Sequence, residues 1–315
     1  MHFVKLRLRT LMHLISVLAT GVVLPRAGLA PIGRTRALHA TASTSALEAP
    51  PLQVALDDAI AHARTFINTK YQDAPVTNLT LSLAAEKRKK STRSAQALAR
   101  QVEEAAAALE GSDPSPLDFG DASDARLSLV SGTWRLKYSN AAEITNLAKL
   151  PLGLRLRTVL QRVDLDRGVL ENRAEVAHKW RLAAQRTRVV AKAWADEPGA
   201  LNKVGVPNPG NRLAVKFCKV VVSLRRLLLL PTPFLRIVAR PFGPVEKEGR
   251  VPTLDVTFVS QSTRISRGGD GSLFVLERVD DPPEPLEEAD DVVDSRRAFD
   301  GATGAIGRLP SSSQA

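Results

Sequence analysis

Two polar side chains on an otherwise apolar strand face are the residues best placed for chemistry. Alternate positions between 170 and 182 carry Asn172, His178 and Trp180 among aliphatic residues, and a period of two predicts a β-strand. A polar group on a core face needs a hydrogen-bonding partner, which another side chain, water or a ligand can supply. Asn172, His178 and Trp180 are therefore candidate ligand-binding residues.

His178 is a candidate general base or metal ligand only in principle. The sequence pairs it with no nucleophile, and no second histidine or cysteine lies at metal-ligand spacing. The short Gly269-x-Gly271 motif lacks the third glycine and the following helix of a dinucleotide site. The single cysteine, Cys218, excludes an internal disulfide. The sequence thus predicts no catalytic residue, no metal and no cofactor.

A basic, apolar stretch between residues 198 and 245 is the second candidate site, and it contains no acidic residue. Its apolar loop, residues 227–234, is too short to span a bilayer, but arginines beside exposed leucines can settle among anionic headgroups. The alternatives are leucines packed on the protein with solvated arginines, or RNA binding, and we expect no nucleic acid. The candidate membrane-contact residues are Arg225, Arg226, Leu228, Leu229, Phe234 and Arg236.

Short alternating segments would position both sites. In the first, Trp134, Leu136 and Tyr138 share a face, and near the end of the chain Leu254, Val256 and Phe258 do the same. The glycine-rich turn 268–271 favours a hairpin. Further alternation at 158–165, 170–182, 187–195 and 213–222 predicts about seven or eight antiparallel strands. A barrel of that size can be filled by side chains or hold one small ligand.

Helical periodicity precedes these strands. Apolar residues at helical spacing predict amphipathic helices over 52–67 and from about 94 to 109. The charged run 86–90 between them is typical of a solvated helix face. A further segment, 141–149, favours a short helix or lid after the first strand.

The sequence resembles the plastid lipid-associated protein family, the fibrillins, at both ends of its strand-rich part. That family's domain opens with a Gly-x-Trp-x-Leu-x-Tyr strand, and its closing strands match segments 254–257, 264–268 and 271–276. Phe258 departs from the family's usual tyrosine. By analogy with lipocalins, Arg264 or Arg267 would pack across the opening tryptophan. The structural motif residues are Gly132, Trp134, Tyr138, Arg264, Arg267 and Gly268.

This resemblance implies a fold, a site and a function. The fold would be mainly β, an antiparallel lipocalin-like barrel over 116–280 preceded by an α-helical segment over 48–115. The family commonly has Gln and Asn at Gln161 and Asn172, which adds Gln161 to the ligand candidates. The function would be non-enzymatic binding or stabilisation of lipids and isoprenoids, peripheral on thylakoids or plastoglobules. The alternative is a carrier, accessory factor or enzyme acting on a prenyl-quinone, carotenoid or fatty acid in the barrel.

The two ends of the chain have the composition of a leader and a tail. The net charge of the chain is +11, and residues 1–47 contain six basic residues and no acidic one. Residues 1–30 are similar to a signal peptide and 31–47 to a transit peptide. Together they resemble the bipartite leader of plastids bounded by extra membranes; a simple organellar leader and secretion are the alternatives. Residues 281–315, with clustered acids and a serine-rich end, predict a disordered tail.

Overall fold

The computed structural model describes most of the chain between residues 49 and 280. The described ranges are 49–67, 73–113, 117–147, 150, 153–178, 180, 182–228, 230–232, 236–239 and 252–280. The predicted leader segments 1–30 and 31–47, the predicted tail 281–315, and the candidate residues Leu229 and Phe234 lie outside them. The described chain is mainly β, with helices at its start.

Three longer helices precede the strands of the main sheet, apart from the two-residue strand at 76–77: α1 Ala49–Ile67, α2 Asn78–Lys87 and α3 Thr92–Gly111. The predictions of helices over 52–67 and 94–109 are confirmed by α1 and α3. The sequence did not reveal α2, which begins where Thr77 Oγ1 accepts from the Thr80 amide at 3.1 Å. The charged run 86–90 covers the end of α2 and the following turn, so it is exposed but only partly helical. Two short helices follow, α4 Leu127–Val130 and α5 Ala142–Asn146.

The strands carry most of the described fold. They are β1 Val76–Thr77, β2 Gly132–Ser139, β3 Leu154–Asp164, β4 Val169–His178, β5 Ala183–Ala195, β6 Arg212–Leu227, β7 Leu230–Pro231, β8 Arg236–Ala239, β9 Thr253–Val259, β10 Thr263–Gly268 and β11 Leu273–Arg278.

Eight of these strands form a ring in which every neighbouring pair is antiparallel. Its order is β2-β11-β10-β9-β6-β5-β4-β3, and β3 pairs with β2 again. The narrowest junction is β6–β9, where only Arg212–Ala214 and Thr253–Asp255 are in register. The rest of that edge of β6 pairs with β7 and β8. The ring is therefore closed all round by antiparallel pairing, and its two shortest junctions are β6–β9 with three residue pairs and β2–β3 with four.

Two apolar cores lie on the two faces of this ring. The inner core joins residues from opposite strands, such as Trp134 of β2 and Leu213 of β6. The outer core lies between the helices and the β2–β11–β10–β9 side, where Leu56 of α1 and Val102 of α3 are buried in one cluster with Ile265. The helical segment thus covers one outer side of the ring.

Two β-bulges correct the predicted strand faces. Opposite β11, strand β2 has an extra residue at Lys137, and opposite β10, strand β9 has one at Thr257. A bulge breaks the alternation of side chains between the faces. Tyr138 and Phe258 consequently leave the inner face and pack in the outer core with Ile265, so the prediction that each shares a face with its strand's preceding apolar residues is wrong.

Candidate functional site

A cavity of about 250 Å³ lies inside the ring of strands. Its wall is mostly apolar, and such a lining with a few polar groups is typical of a site for one small hydrophobic molecule. The apolar side chains that line it include Leu136, Ile144, Leu147, Val159, Leu170, Ala174, Val189, Val215, Phe217, Leu254, Phe274 and Leu276.

Gln161 and Asn172 are brought together on this cavity wall. They face each other across β3 and β4, and Gln161 Nε2 donates to Asn172 Oδ1 at 3.0 Å. Gln161 Oε1 in turn accepts from Nη2 of Arg264. The Arg264 guanidinium, the Gln161 amide and the Asn172 carbonyl oxygen thus form one chain of hydrogen bonds at the cavity wall.

Two further buried polar groups lie in the same region: Ser266, which was not predicted as a site residue, and Arg264, which was predicted only to pack on Trp134. Ser266 is fully buried and lines the cavity, and its Oγ has no hydrogen-bond partner. Arg264 is also fully buried, and its Nε and Nη1 are unpartnered. Burial, together with the charge of Arg278, lowers the pKa of Arg264 to about 9. The alternation of Arg264 and Ser266 around an apolar Ile265 was the signal that could have revealed them.

His178 and Trp180 do not share this site, contrary to the prediction of an interior position for both. Strand β4 ends at His178, and Trp180 in the following turn is 67 % exposed. The Trp180 amide donates to Nδ1 of His178 at 3.2 Å, and the two rings meet edge to face at 5.4 Å. The apolar alternation of the sequence therefore continues past the end of the strand, where it no longer indicates burial.

The mouth of the cavity is built from α5, the β10–β11 turn and the loop between β5 and β6. Glu143 and Ile144 on α5, Lys203 in the loop, and Asp270 in the turn all line it. Burial raises the pKa of Glu143, and the nearby charge of Asp270 adds to this while Lys203 opposes it. The predicted short helix over 141–149 is thus present as α5 and borders the opening.

Below the cavity, Trp134 is completely buried under two arginines. The guanidinium carbons of Arg264 and Arg278 lie 5.0 and 4.3 Å from its ring centroid, and its Nε1 donates to the Val130 carbonyl at 2.9 Å. Arg278 was not predicted. Gly132 leaves room for Arg278, because a Cβ there would collide with Nη1 of that arginine.

Of the two predicted arginines, Arg264 packs on Trp134 and Arg267 does not. Arg267 instead faces the helices, where its Nε and Nη2 donate to the Glu110 carboxylate at 2.9 and 2.6 Å. That hydrogen-bonded carboxylate raises the pKa of Arg267. Gly268, the next residue, is crowded by Ser272 Oγ, which would lie 2.8 Å from an added Cβ.

The predicted membrane-contact residues lie at a hairpin that we call the β6–β7 tip, residues 225–228 and 230–231. Strand β6 runs five residues beyond its predicted end at 222 and stays paired with β5 up to Leu227. Leu228 is 71 % exposed and adopts a left-handed conformation, with φ of 49°. Arg225, Arg226 and Arg236 are exposed beside it. The exposed apolar side chains at the tip and on the adjacent β8 are Leu227, Leu228, Leu230, Ile237 and Val238.

These features define a mainly β protein, a ring of antiparallel strands around an apolar cavity with helices on one side. The family model PAP_fibrillin matches residues 76–277, which is more than half of the chain, and the chain belongs to that family of plastid lipid-associated proteins, as predicted. The family is a structural, lipid-associated one and implies association with plastids. No curated protein matches the chain.

Two further properties bear on membranes and metals. None of the described helices is long and apolar enough to cross a membrane. Within the part of the chain that the structure describes, no group of three or more His, Cys, Asp or Glu side chains could hold a metal ion.

Proposed function

We propose that this protein is a non-enzymatic, peripheral lipid-associated protein of plastid thylakoids or plastoglobules. The leader 1–47 would direct it to the plastid. The observation that carries the proposal is the β6–β7 tip, where leucines are exposed beside arginines. Large exposed apolar groups rimmed by cations fit the interfacial layer of an anionic lipid surface. The partner is thus a lipid surface rather than a nucleic acid.

A flotation experiment tests this role of the tip. The protein without residues 1–47, whose apolar leader would bind vesicles by itself, is mixed with galactolipid vesicles with and without phosphatidylglycerol. We expect salt-sensitive flotation with the anionic lipid. Each basic residue near an anionic surface contributes about 1 kcal/mol, so Arg225→Glu with Arg226→Glu should weaken binding at least about tenfold.

The matched control carries the same change of charge at a distant site. Arg93→Glu with Arg100→Glu alters two exposed arginines of α3 and should float like the wild type. If both variants lose vesicle binding equally, the tip arginines act only through the net charge of the protein and not as a contact surface. Undiminished flotation of the tip variant would contradict the proposal.

The cavity supports a second function, that of a carrier for one small hydrophobic molecule such as a prenyl-quinone, carotenoid or fatty acid. In this proposal the ring is a lipocalin-like barrel occupying the predicted domain 116–280. The side-chain amide of Asn172 and the unpartnered hydroxyl of Ser266 would donate to a carbonyl oxygen of the ligand. His178 lies outside the cavity lining, so Asn172 and His178 do not form the joint site that an enzyme using both would need.

Filling the cavity tests the carrier function. Ala174 is buried on its wall, so Ala174→Phe should occupy part of the space that a ligand needs. We expect native mass spectrometry to find a hydrophobic molecule bound to purified wild type and several-fold less bound to the variant. Ala108→Phe on the exposed side of α3 is the control. A variant that retains the full occupancy would rule out this cavity as the carrier site.

A further inference from the structure

The loop between β5 and β6, residues 196–211, carries a second group of exposed aliphatic side chains. Leu201, Val204 and Val206 are 58, 54 and 49 % exposed and lie within six residues of one another. Scattered exposed aliphatic residues are ordinary, but a local cluster of them marks an interaction site. This cluster was not predicted from the sequence.

The exposure is not the result of a loosely held loop. Asn202 is buried, and its Oδ1 accepts from the amides of Val204 and Val206 at 3.1 and 2.9 Å. Asn208 is also buried and donates to the carbonyls of Asp196 and Glu197. The fully buried Arg212 holds both sides of the loop by donating to the carbonyls of Ala200 and Val206 at 2.6 and 3.1 Å. The fold thus presents these aliphatic side chains in a fixed arrangement.

The same loop borders the cavity, because Lys203 lies between the exposed residues in sequence and also lines the opening. The β6–β7 tip is elsewhere: the cavity residue Thr187 pairs with Val222 of β6, and five residues, about 17 Å at 3.3 Å per residue, separate Val222 from Leu227. Lipid contact at the tip alone therefore leaves open how a hydrophobic ligand enters the cavity.

We propose that the β5–β6 loop is a lipid-docking surface that holds the cavity mouth against the lipid phase, so that a hydrophobic molecule passes between the two without crossing water. The inference rests on the proposed function, since it requires the same lipid partner. Three aliphatic side chains are too few for a stable protein interface of about 1,000 Å². They suffice for shallow insertion into a lipid surface, with Lys203 reaching the headgroups by its long side chain. Acidic residues near this surface are Asp196 and Glu197 at the start of the loop and Glu143 and Asp270 at the opening, and residues 198–245 contain none.

A fluorescent label tests the position of the loop on the lipid. In the full chain with Cys218→Ser, the only native cysteine is removed, and Val204→Cys is labelled with nitrobenzoxadiazole. We expect a severalfold rise and a blue shift of its emission with galactolipid vesicles containing phosphatidylglycerol. The same label at Ala108→Cys on α3 should keep the emission that it has in water.

A transfer measurement tests the consequence for the ligand. Leu201→Ser with Val204→Ser should slow the passage of cis-parinaric acid from the protein to these vesicles severalfold. Val54→Ser with Leu83→Ser, which changes two exposed aliphatic residues of α1 and α2, is the matched control and should not slow it.

The failures of the two proposals are distinguishable. Suppose that the protein floats with the vesicles but the emission of the label at position 204 does not change. The inference is then overturned, and the proposed function stands. A loop variant that transfers the ligand as fast as the wild type leads to the same conclusion. If the wild type does not float, the proposed function fails and the lipid partner of the loop fails with it. Emission at 204 that follows protein concentration instead of lipid would assign the loop to self-association and overturn the inference.

Discussion

Replacing Trp134 with alanine is expected to destabilise the protein by about 3–5 kcal/mol, the usual cost of truncating a buried tryptophan or phenylalanine. Trp134 is fully buried, so the truncation opens a cavity at the base of the ring. It also removes the aromatic face beside Arg264, whose Nε and Nη1 are already unpartnered. Thermal unfolding should show a midpoint lower by roughly 10 °C for a chain of this size.

A second tryptophan supplies the control. Trp180 is 67 % exposed, and Trp180→Ala should change the free energy of unfolding by no more than about 0.5 kcal/mol, as for other surface substitutions. Trp134→Phe keeps an aromatic ring but loses the hydrogen bond from Nε1 to Val130, so it should fall between the two. A Trp134→Ala protein with the wild-type midpoint would refute the assigned role of this residue in closing the ring.

The second large effect is expected at the buried ion pair between Arg212 and Asp255. Arg212 Nε and Nη2 donate to the two carboxylate oxygens of Asp255 at 2.6 and 2.9 Å, and this carboxylate raises the pKa of Arg212. Asp255→Asn leaves the charge of Arg212 buried without its counterion. Removing one partner of a buried pair costs about 3–5 kcal/mol, which denaturant unfolding would measure.

Two variants separate the ion pair from other causes. Asp73→Asn makes the same chemical change at a carboxylate that is half exposed beside Arg135, where pairs contribute about 1 kcal/mol or less. Asp255→Leu with Arg212→Met removes both charges and should recover much of the lost stability. If Asp255→Asn lowers the free energy of unfolding by no more than Asp73→Asn does, the Arg212–Asp255 pair does not stabilise the fold as its buried geometry indicates.

Much of this fold could be predicted because alternation along a strand is a local property. It was enough to locate β2, β4, β5 and the closing hairpin, and to place Asn172 on the cavity wall. Local alternation cannot report a bulge, which depends on the register of two strands. The outward positions of Tyr138 and Phe258 were therefore missed, since the partners of β2 and β9 lie elsewhere in the sequence.

The same limit explains the errors at the candidate site. Arg278 contacts Trp134 because the two residues face each other between β11 and β2, a pairing across more than a hundred residues. The prediction of an interior position for Trp180 was wrong because the end of β4 is set by the turn that follows it and not by the apolar pattern. The sequence of the β5–β6 loop, asparagines and glycines among aliphatic residues, only weakly indicates an ordered surface. The hydrogen bonds that fix the loop beside the cavity are visible only in the structure.

The short seam between β6 and β9 is the part of the cavity wall with the fewest paired residues. Three residue pairs close it, supported by Asn211, whose Nδ2 donates to the Val256 carbonyl at 3.0 Å, and by the Arg212–Asp255 pair. Ring opening at this seam would break far fewer hydrogen bonds than opening between β5 and β6, which pair over almost their whole length. Opening at this seam would leave the other ladders intact, so the wall around the 250 Å³ cavity can be widened there with the fewest paired residues lost.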